Sequence, residues 1–228
     1  MTRHVITVAR EVQAASREQA AAFRDARARS GTLVVNLVSS PGAGKTTLLE
    51  ATARRWEGRY RCAVLVGDLE TDRDAQRLAP YVDVVQMTTG GACHLEIPLV
   101  QRAFDQLPSM PWDFLFLENV GNLVCPASHD LGEHLRVVLL SVTEGDDKPA
   151  KYPKMFRTSQ ALVVTKTDLL PYVPFSVDAC IDDARRIQPQ LTAMTVAAGR
   201  GEGLDAWCDY LLEQRSRLLT AAASVGAK

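Results

Sequence analysis

Short apolar runs alternate with longer amphipathic stretches along most of this chain. The apolar runs contain many β-branched residues, a pattern typical of parallel strands buried on both faces. The amphipathic stretches place apolar residues at helical spacing and predict helices that cover the sheet. Seven strands are expected, the first beginning at Leu33 and the others at residues 61–67, 82–87, 113–119, 134–143, 161–165 and 191–197. Helices are expected at residues 4–29, 45–56, 71–79, 94–107, 154–159, 177–187 and 204–219.

This alternation of strands and helices predicts an α/β fold, with a mostly parallel sheet and helices on both of its faces. Ligands of such sheets bind at the carboxyl ends of the strands. The sequence contains no internal repeat, so one domain spanning residues 1–228 is expected, with a frayed tail at residues 220–228. Residues 1–30 are expected to add an amphipathic helix, although Gln19 interrupts its apolar stripe. The stripe consists of Val5, Val8, Val12, Ala15, Ala22, Phe23 and Ala26.

Composition excludes several classes of protein. The chain has 228 residues, of which 46% are hydrophobic, and this supports a sizeable core. Its net charge of −1 gives no indication of nucleic-acid or membrane binding, and neither partner is expected. The sequence has no apolar run of about 18 residues and no signal-peptide core at its start, so a cytoplasmic protein is expected. The five cysteines form no CxxC pair, which argues against a disulfide framework.

The loop after the first strand reads SSPGAGKTT and resembles the phosphate-binding P-loop, G-x-x-x-x-G-K-[ST], with Ser39 at the position of the first glycine. Glycines let the backbone N–H groups surround an anion, and the N-terminus of the following helix adds a favourable dipole. Lys45 can reach the β- and γ-phosphates, and the Thr46 hydroxyl can bind Mg²⁺. A nucleoside triphosphate is therefore the expected ligand. The candidate contacts in this loop are Gly42, Ala43, Gly44, Lys45, Thr46 and Thr47.

Acidic residues follow two of the predicted strands. Asp68 ends the second strand and Glu118 lies at the end of the fourth. Nucleotide-bound Mg²⁺ needs one or two carboxylates beside the phosphates, so Asp68, Glu118 and Thr46 are candidate magnesium ligands, directly or through water. The alternative is that both acids are solvated loop residues. Lys45, Asp68 and Glu118 are the candidate catalytic residues; no strong general base stands out, and slow hydrolysis is expected.

The sixth strand ends in Thr165-Lys166-Thr167-Asp168, which resembles the N-K-x-D motif of GTPases. Guanine presents two donors that the Asp168 carboxylate could accept, and Lys166 could lay its aliphatic stem over the base. The motif's asparagine is Thr165 here, and loss of one amide hydrogen bond is expected to cost ~0.5–1.5 kcal/mol. Residues 197–200 occupy the place of a second base-contacting loop but lack its usual Ser-Ala-Lys type of sequence.

Cys93, His94 and Cys125 form a second candidate constellation. Thiolate and imidazole ligands suit Zn²⁺ in tetrahedral geometry and Ni²⁺ in square-planar geometry. Three ligands leave such a site incomplete, so water, a partner chain or a substrate group must complete it. On spacing alone, the alternative is two unrelated cysteines and a surface histidine.

Four segments of the chain together resemble the HypB family, the GTPases that help insert nickel into hydrogenases. They are VVNLVSSPGAGKTTLLE, GGACHLE, ENVGNLVCP and EGDDKPAKYPKMF. The resemblance extends from about residue 4 to residue 220. The sequence lacks the cysteine-rich N-terminal motif of some members and the histidine-rich stretch of others, so a separate nickel-storage site is not expected.

The resemblance implies a P-loop GTPase fold of the SIMIBI type, with GTP or GDP and Mg²⁺ as ligands. It also implies that Cys93, His94 and Cys125 bind Ni²⁺ or Zn²⁺. The implied partners are a second copy of the chain, in a nucleotide- and metal-dependent homodimer, the hydrogenase large-subunit precursor and other maturation proteins.

Three alternatives remain open at the level of sequence. The chain could be a GTPase that serves another metalloenzyme, of the urease or cobalamin type. It could be an ATP-dependent small-molecule kinase, or a metal-binding module that has lost hydrolysis. Relative affinity for GTP and ATP separates the kinase from the others.

Overall fold

A seven-stranded parallel sheet forms the centre of the computed structural model, which describes residues 4–68 and 72–226, and side chains within 13–68 and 72–224. The strands are β1 Leu33–Ser39, β2 Cys62–Asp68, β3 Asp83–Thr88, β4 Phe114–Gly121, β5 Leu135–Ser141, β6 Ala161–Thr165 and β7 Thr192–Val196. Their order is β3-β2-β4-β1-β5-β6-β7, and each neighbouring pair is parallel. The α/β fold predicted from the alternation of strands and helices is confirmed.

Eight α-helices are described around this sheet. They are α1 His4–Arg29, α2 Lys45–Trp56, α3 Arg73–Leu78, α4 Ile97–Phe104, α5 Lys148–Lys151, α6 Pro153–Arg157, α7 Val177–Ile187 and α8 Leu204–Gly226. Short 3₁₀ turns lie at Cys125–Ser128, Thr167–Tyr172 and Ala198–Arg200. Among the residues that the structure describes, no helix is both long and apolar enough to cross a membrane.

Several predicted helix boundaries differ from the structure, most clearly those of α4 and α8. Helix α4 begins at Ile97 rather than at His94, because Pro98 is favoured in a first turn, where its missing N–H costs no hydrogen bond. His94 therefore lies in a loop. Helix α8 continues to Gly226, past the predicted end at Leu219, so the described part of the tail is helical.

Apolar side chains fill the core on both faces of the sheet. On one face, α2 and α8 pack over the central strands, and the Trp56 and Phe114 rings stack at 4.4 Å. The Trp207 indole N–H donates to Thr52 Oγ1 at 2.9 Å and ties α8 to α2. On the other face, α1 and α4 cover β2, β4 and the start of β1, while α6 and α7 cover β5 and β6.

Only part of the predicted apolar stripe of α1 faces the core. Phe23 is buried and packs edge-on against Phe104, at 5.6 Å between ring centroids, and Ala20 is buried beside it. Ala15 and Ala22 are exposed, so their place in the predicted stripe is wrong. The side chains of Val5, Val8 and Val12 lie outside the described residues.

Candidate functional site

The P-loop connects the end of β1 to the start of α2. Gly42 and Gly44 have φ angles of 74° and 96°, a left-handed backbone that favours glycine. Lys45 begins the helix, and its amine donates to Ser39 Oγ at 3.1 Å. Burial lowers the pKa of Lys45, while the negative charges of Glu118, Asp74 and Asp68, among others, oppose that shift. A buried amine inside a loop of this geometry is suited to an anionic ligand.

Thr46 and Glu118 meet beside this loop. The Thr46 hydroxyl donates to Glu118 Oε1 at 2.7 Å, and the second carboxylate oxygen has no hydrogen-bond partner among the described residues. Glu118 is 3% exposed, and burial raises its pKa to about 7 against the opposing charge of Lys45. Glu118 is therefore no solvated loop acid. A buried carboxylate with an unpaired oxygen next to a hydroxyl fits Mg²⁺, which takes such oxygen ligands.

Asp68 ends β2 at the same edge of the sheet. It is half-buried, and it is close enough to Lys45 for its charge to raise the pKa of that amine. Lys45 and Thr46 thus lie near Asp68 and Glu118 at one edge of the sheet, as the parallel strands predict.

A cavity of about 230 Å³ adjoins the P-loop. Lys166, in a left-handed conformation at φ 57°, donates from its amine to the Gly42 carbonyl at 2.7 Å. The Thr165 hydroxyl donates to the Ala43 carbonyl at 2.6 Å. Thr165 stands at the position of the motif's asparagine, and its hydroxyl binds the motif directly to the P-loop backbone. The lining of the cavity includes Gly44, Thr47, Thr165, Lys166, Asp168 and Gly199.

Residues 197–200 also reach this cavity, although their sequence departs from the usual base-contacting loop. Ala198 and Gly199 line it, and Arg200 Nε lies 3.7 Å from Asp168 Oδ2. The Asp168 carboxylate, which also lines the cavity, is thus paired with Arg200.

Cys93, His94 and Cys125 come together across two loops. One ligand atom from each lies within 4.8 Å of the others. The two Sγ atoms are 2.8 Å apart, and Cys93 Sγ is 3.7 Å from His94 Nδ1. The hydrogen bond to Cys125 raises the pKa of Cys93, so the pair holds a proton that a metal would displace. The three residues, which their spacing in the sequence leaves unrelated, thus lie together in the fold.

Comparison with known proteins identifies the family of this chain. Residues 33–195 match the family described as CobW/HypB/UreG, nucleotide-binding domain. The chain is 52% identical over 190 residues to hydrogenase maturation factor HypB from Azotobacter chroococcum mcd 1, an alignment covering 82% of this chain and 62% of that protein. The chain belongs to the HypB family.

A second HypB, from Escherichia coli K12, is 49% identical over 184 residues, which cover 80% of this chain and 63% of that protein. The chain thus spans less than two thirds of the length of these two relatives. The crystal structure of HypB from Helicobacter pylori in complex with nickel matches with a TM-score of 0.84 and 39% identity. That match covers 89% of this chain and 95% of the other.

Asn122 is a site residue that the sequence reasoning did not single out, although it lies in the HypB-like segment ENVGNLVCP. Its amide nitrogen donates to the Cys93 carbonyl at 3.3 Å, and its Oδ1 accepts from the Val124 N–H at 2.7 Å. It also accepts a longer bond, of 3.4 Å, from the Cys125 N–H. Asn122 therefore joins the loops that carry the two thiols.

Strand β4 runs from the core to the region between the P-loop and the Cys93–Cys125 pair. It carries Glu118, shifts register against β1 between Leu37 and Ser39, and ends at Gly121. A Cβ at Gly121 would lie 2.7 Å from Pro41 Cγ, so the strand end is in close contact with the P-loop. Asn122 follows at once. The P-loop thus contacts the end of the strand from which the chain continues to Cys125, four residues after Gly121.

Proposed function

We propose that this chain is a GTP-hydrolysing metallochaperone that binds nickel and assists its insertion into hydrogenase. The observation that carries the proposal is the shared strand: one end of β4 supplies both Glu118, beside the P-loop, and the approach to the Cys93–Cys125 pair. A protein that only binds nucleotide has no use for two thiols and an imidazole at that edge.

The nucleotide half would work through charge and position. Lys45 would neutralise phosphate charge, and Thr46 and Glu118, with Asp68 near them, would hold Mg²⁺. Bound Mg²⁺ would supply further neutralisation of the charge on the β- and γ-phosphates. Asp168 would accept from the two donors of guanine. The buried, raised-pKa carboxyl of Glu118 would release its proton as the cation binds.

The metal half would hold its cargo by soft ligands. The Cys93 and Cys125 thiolates with the His94 imidazole suit Ni²⁺ or Zn²⁺. Since Cys93 is exposed, the coordination sphere is open to a further ligand. We propose that a second copy of the chain completes it in a homodimer formed with GTP, and that the hydrogenase precursor takes the metal afterwards.

Nucleotide preference is the first test. Titration with fluorescent GDP and ADP should show tighter GDP binding, and Asp168→Ala should remove most of that difference. Lys45→Ala should weaken both nucleotides alike. Equal affinity of the unaltered protein for GDP and ADP would refute the GTPase assignment and favour a kinase.

Metal binding is the second test. Reduced protein should bind one Ni²⁺ or Zn²⁺ per Cys93–His94–Cys125 site, and Cys125→Ala should weaken binding by orders of magnitude. Cys208→Ala is the control, because that thiol is buried in α8 and its burial raises its pKa to about 11. If Cys125→Ala binds metal like the control, the proposed site is wrong. Sedimentation with GDP and with a GTP analogue, each with and without Ni²⁺, tests the proposed dimer.

A further inference from the structure

His129 contacts two of the three candidate metal ligands. Its ring stacks on the His94 ring, with centroids 3.8 Å apart and planes 21° from parallel. Its Nδ1 lies 2.9 Å from the Cys125 carbonyl oxygen. Because a carbonyl can only accept, Nδ1 must carry the hydrogen of this bond. One imidazole therefore restrains both the ring of His94 and the backbone of Cys125.

The backbone of His129 is itself held from the core. The Arg136 guanidinium donates to the His129 carbonyl at 2.6 Å and pairs with Glu133 at 2.6 Å. Both side chains of this ion pair are less than 10% exposed. The His129 N–H donates to the Pro126 carbonyl at 3.2 Å, which closes the turn that carries Cys125. These bonds hold the backbone of His129 in place, and this fixes the position from which its imidazole extends.

His94 has a weaker restraint on its other side. Its Nε2 lies 3.6 Å from a Glu96 carboxylate oxygen, while its Nδ1 faces Cys93. The Glu96 side chain is 68% exposed, so this contact is screened by solvent. The stack with His129 is thus the stronger constraint on the plane of the His94 ring.

We propose that His129 is a positioning residue of the metal site, acting on His94 through the ring stack and on Cys125 through its carbonyl. The inference rests on the proposed role of Cys93, His94 and Cys125. Outer groups that orient metal ligands commonly change metal affinity by about 10–100-fold. His129 would hold the imidazole plane and the Cys125 backbone in their bound arrangement before the metal arrives.

The test compares His129→Ala and His129→Phe with Ser128→Ala. Reduced proteins are titrated with Ni²⁺ against a chelator, and the thiolate-to-nickel charge-transfer absorption is recorded. We expect His129→Ala to bind Ni²⁺ about 10–100-fold more weakly, with shifted absorption bands. His129→Phe keeps a stacking ring without the bond to the Cys125 carbonyl, so it should recover part of the loss. Ser128→Ala lies in the same turn, where its hydroxyl meets Lys154 rather than the ligands, and should match the unaltered protein.

Affinity for GDP and the thermal midpoint report whether each variant is folded. If His129→Ala is unstable, the size-conserving His129→Phe still tests the carbonyl bond by its Ni²⁺ affinity and spectrum. Unaltered affinity and absorption bands in a folded His129→Ala protein would overturn the inference alone. Weaker binding with an unchanged spectrum and a lower thermal midpoint would also overturn it, in favour of a structural role. If the unaltered protein gives no thiolate-to-nickel bands, both this inference and the proposed metal site fail.

Discussion

His134 links strand β1 to helix α1, and we expect the attachment of that helix to depend on pH. Its Nδ1 accepts from the Val34 N–H at 2.9 Å, and its Nε2 lies 3.1 Å from the Arg24 carbonyl. Since the Val34 N–H donates and the Arg24 carbonyl can only accept, the neutral ring must carry its hydrogen on Nε2. If Nδ1 were protonated, its N–H would face the Val34 N–H, and this hydrogen bond would be lost. Burial is the main reason that the pKa of His134 falls to about 4.

The sign of the effect follows from proton binding. The unfolded chain has the ordinary histidine pKa of 6.5, so between pH 6.5 and about pH 4 it binds more protons than the folded chain. The stabilisation by neutral His134 is therefore complete above pH 6.5 and is lost as the pH falls through this window. The difference between the two pKa values corresponds to about 3 kcal/mol in total, of which about 2 kcal/mol is lost between pH 7.5 and pH 5.

Urea unfolding of the unaltered protein and of His134→Gln, at about pH 7.5 and about pH 5, measures this loss. Glutamine cannot be protonated in this range, and the other histidines and the acids are common to both proteins. The stability advantage of the unaltered protein should therefore shrink by ~2 kcal/mol at the lower pH. An advantage of equal size at both pH values would refute the assignment of a neutral, buried imidazole.

Three further predictions concern the nucleotide half of the site. Burial raises the pKa of Glu118 to about 7, so its charged form is unfavourable in the folded protein at pH 8. Glu118→Gln removes this charge and should stabilise the nucleotide-free protein at pH 8 by up to about 3 kcal/mol in urea unfolding. The same variant should abolish Mg²⁺-dependent GTP hydrolysis. A variant less stable than the unaltered protein at pH 8 would contradict the buried, destabilised carboxylate. Gly121→Ala should cost ~1–3 kcal/mol of stability and weaken GDP binding, because the new methyl group overlaps Pro41. Unchanged GDP affinity in fluorescence titration would show that the contact between the end of β4 and the P-loop does not support nucleotide binding. Thr165→Val should weaken GDP binding by about 1 kcal/mol through loss of the hydroxyl bond to Ala43, whereas Thr165→Ser should keep it; equal affinities would show that this bond does not support the cavity.

Local patterns in the sequence determined the fold and the identity of most site residues. Apolar runs of strand length, and the helical spacing between them, can be recognised from residues that are close in the sequence. These local patterns located all seven strands. The P-loop is likewise a contiguous motif, and the left-handed glycines at 42 and 44 follow from it. The parallel topology then places the strand ends, with Asp68 and Glu118, at one edge.

Only the tertiary structure decided which distant groups touch. Cys93 and Cys125 lie on separate loops, and their 2.8 Å approach depends on the neighbouring positions of β2, β3 and β4. The bond from Thr165 to the P-loop joins residues that are 122 positions apart, so no local pattern could supply it. The stack of His129 on His94 likewise depends on the folded loops.

Burial explains the remaining differences. Ala15 and Ala22 fit an apolar stripe in the sequence, but both are exposed in the structure. The packing of Phe23 against α4 determines which side of α1 faces the core. The unusual pKa values of Glu118 and His134 arise in the same way. A titratable group keeps its ordinary pKa in water, and only packing of other elements around it removes that water. Sequence determines the chemical groups that this protein possesses, whereas the packed structure determines their solvent exposure and, through it, their charge.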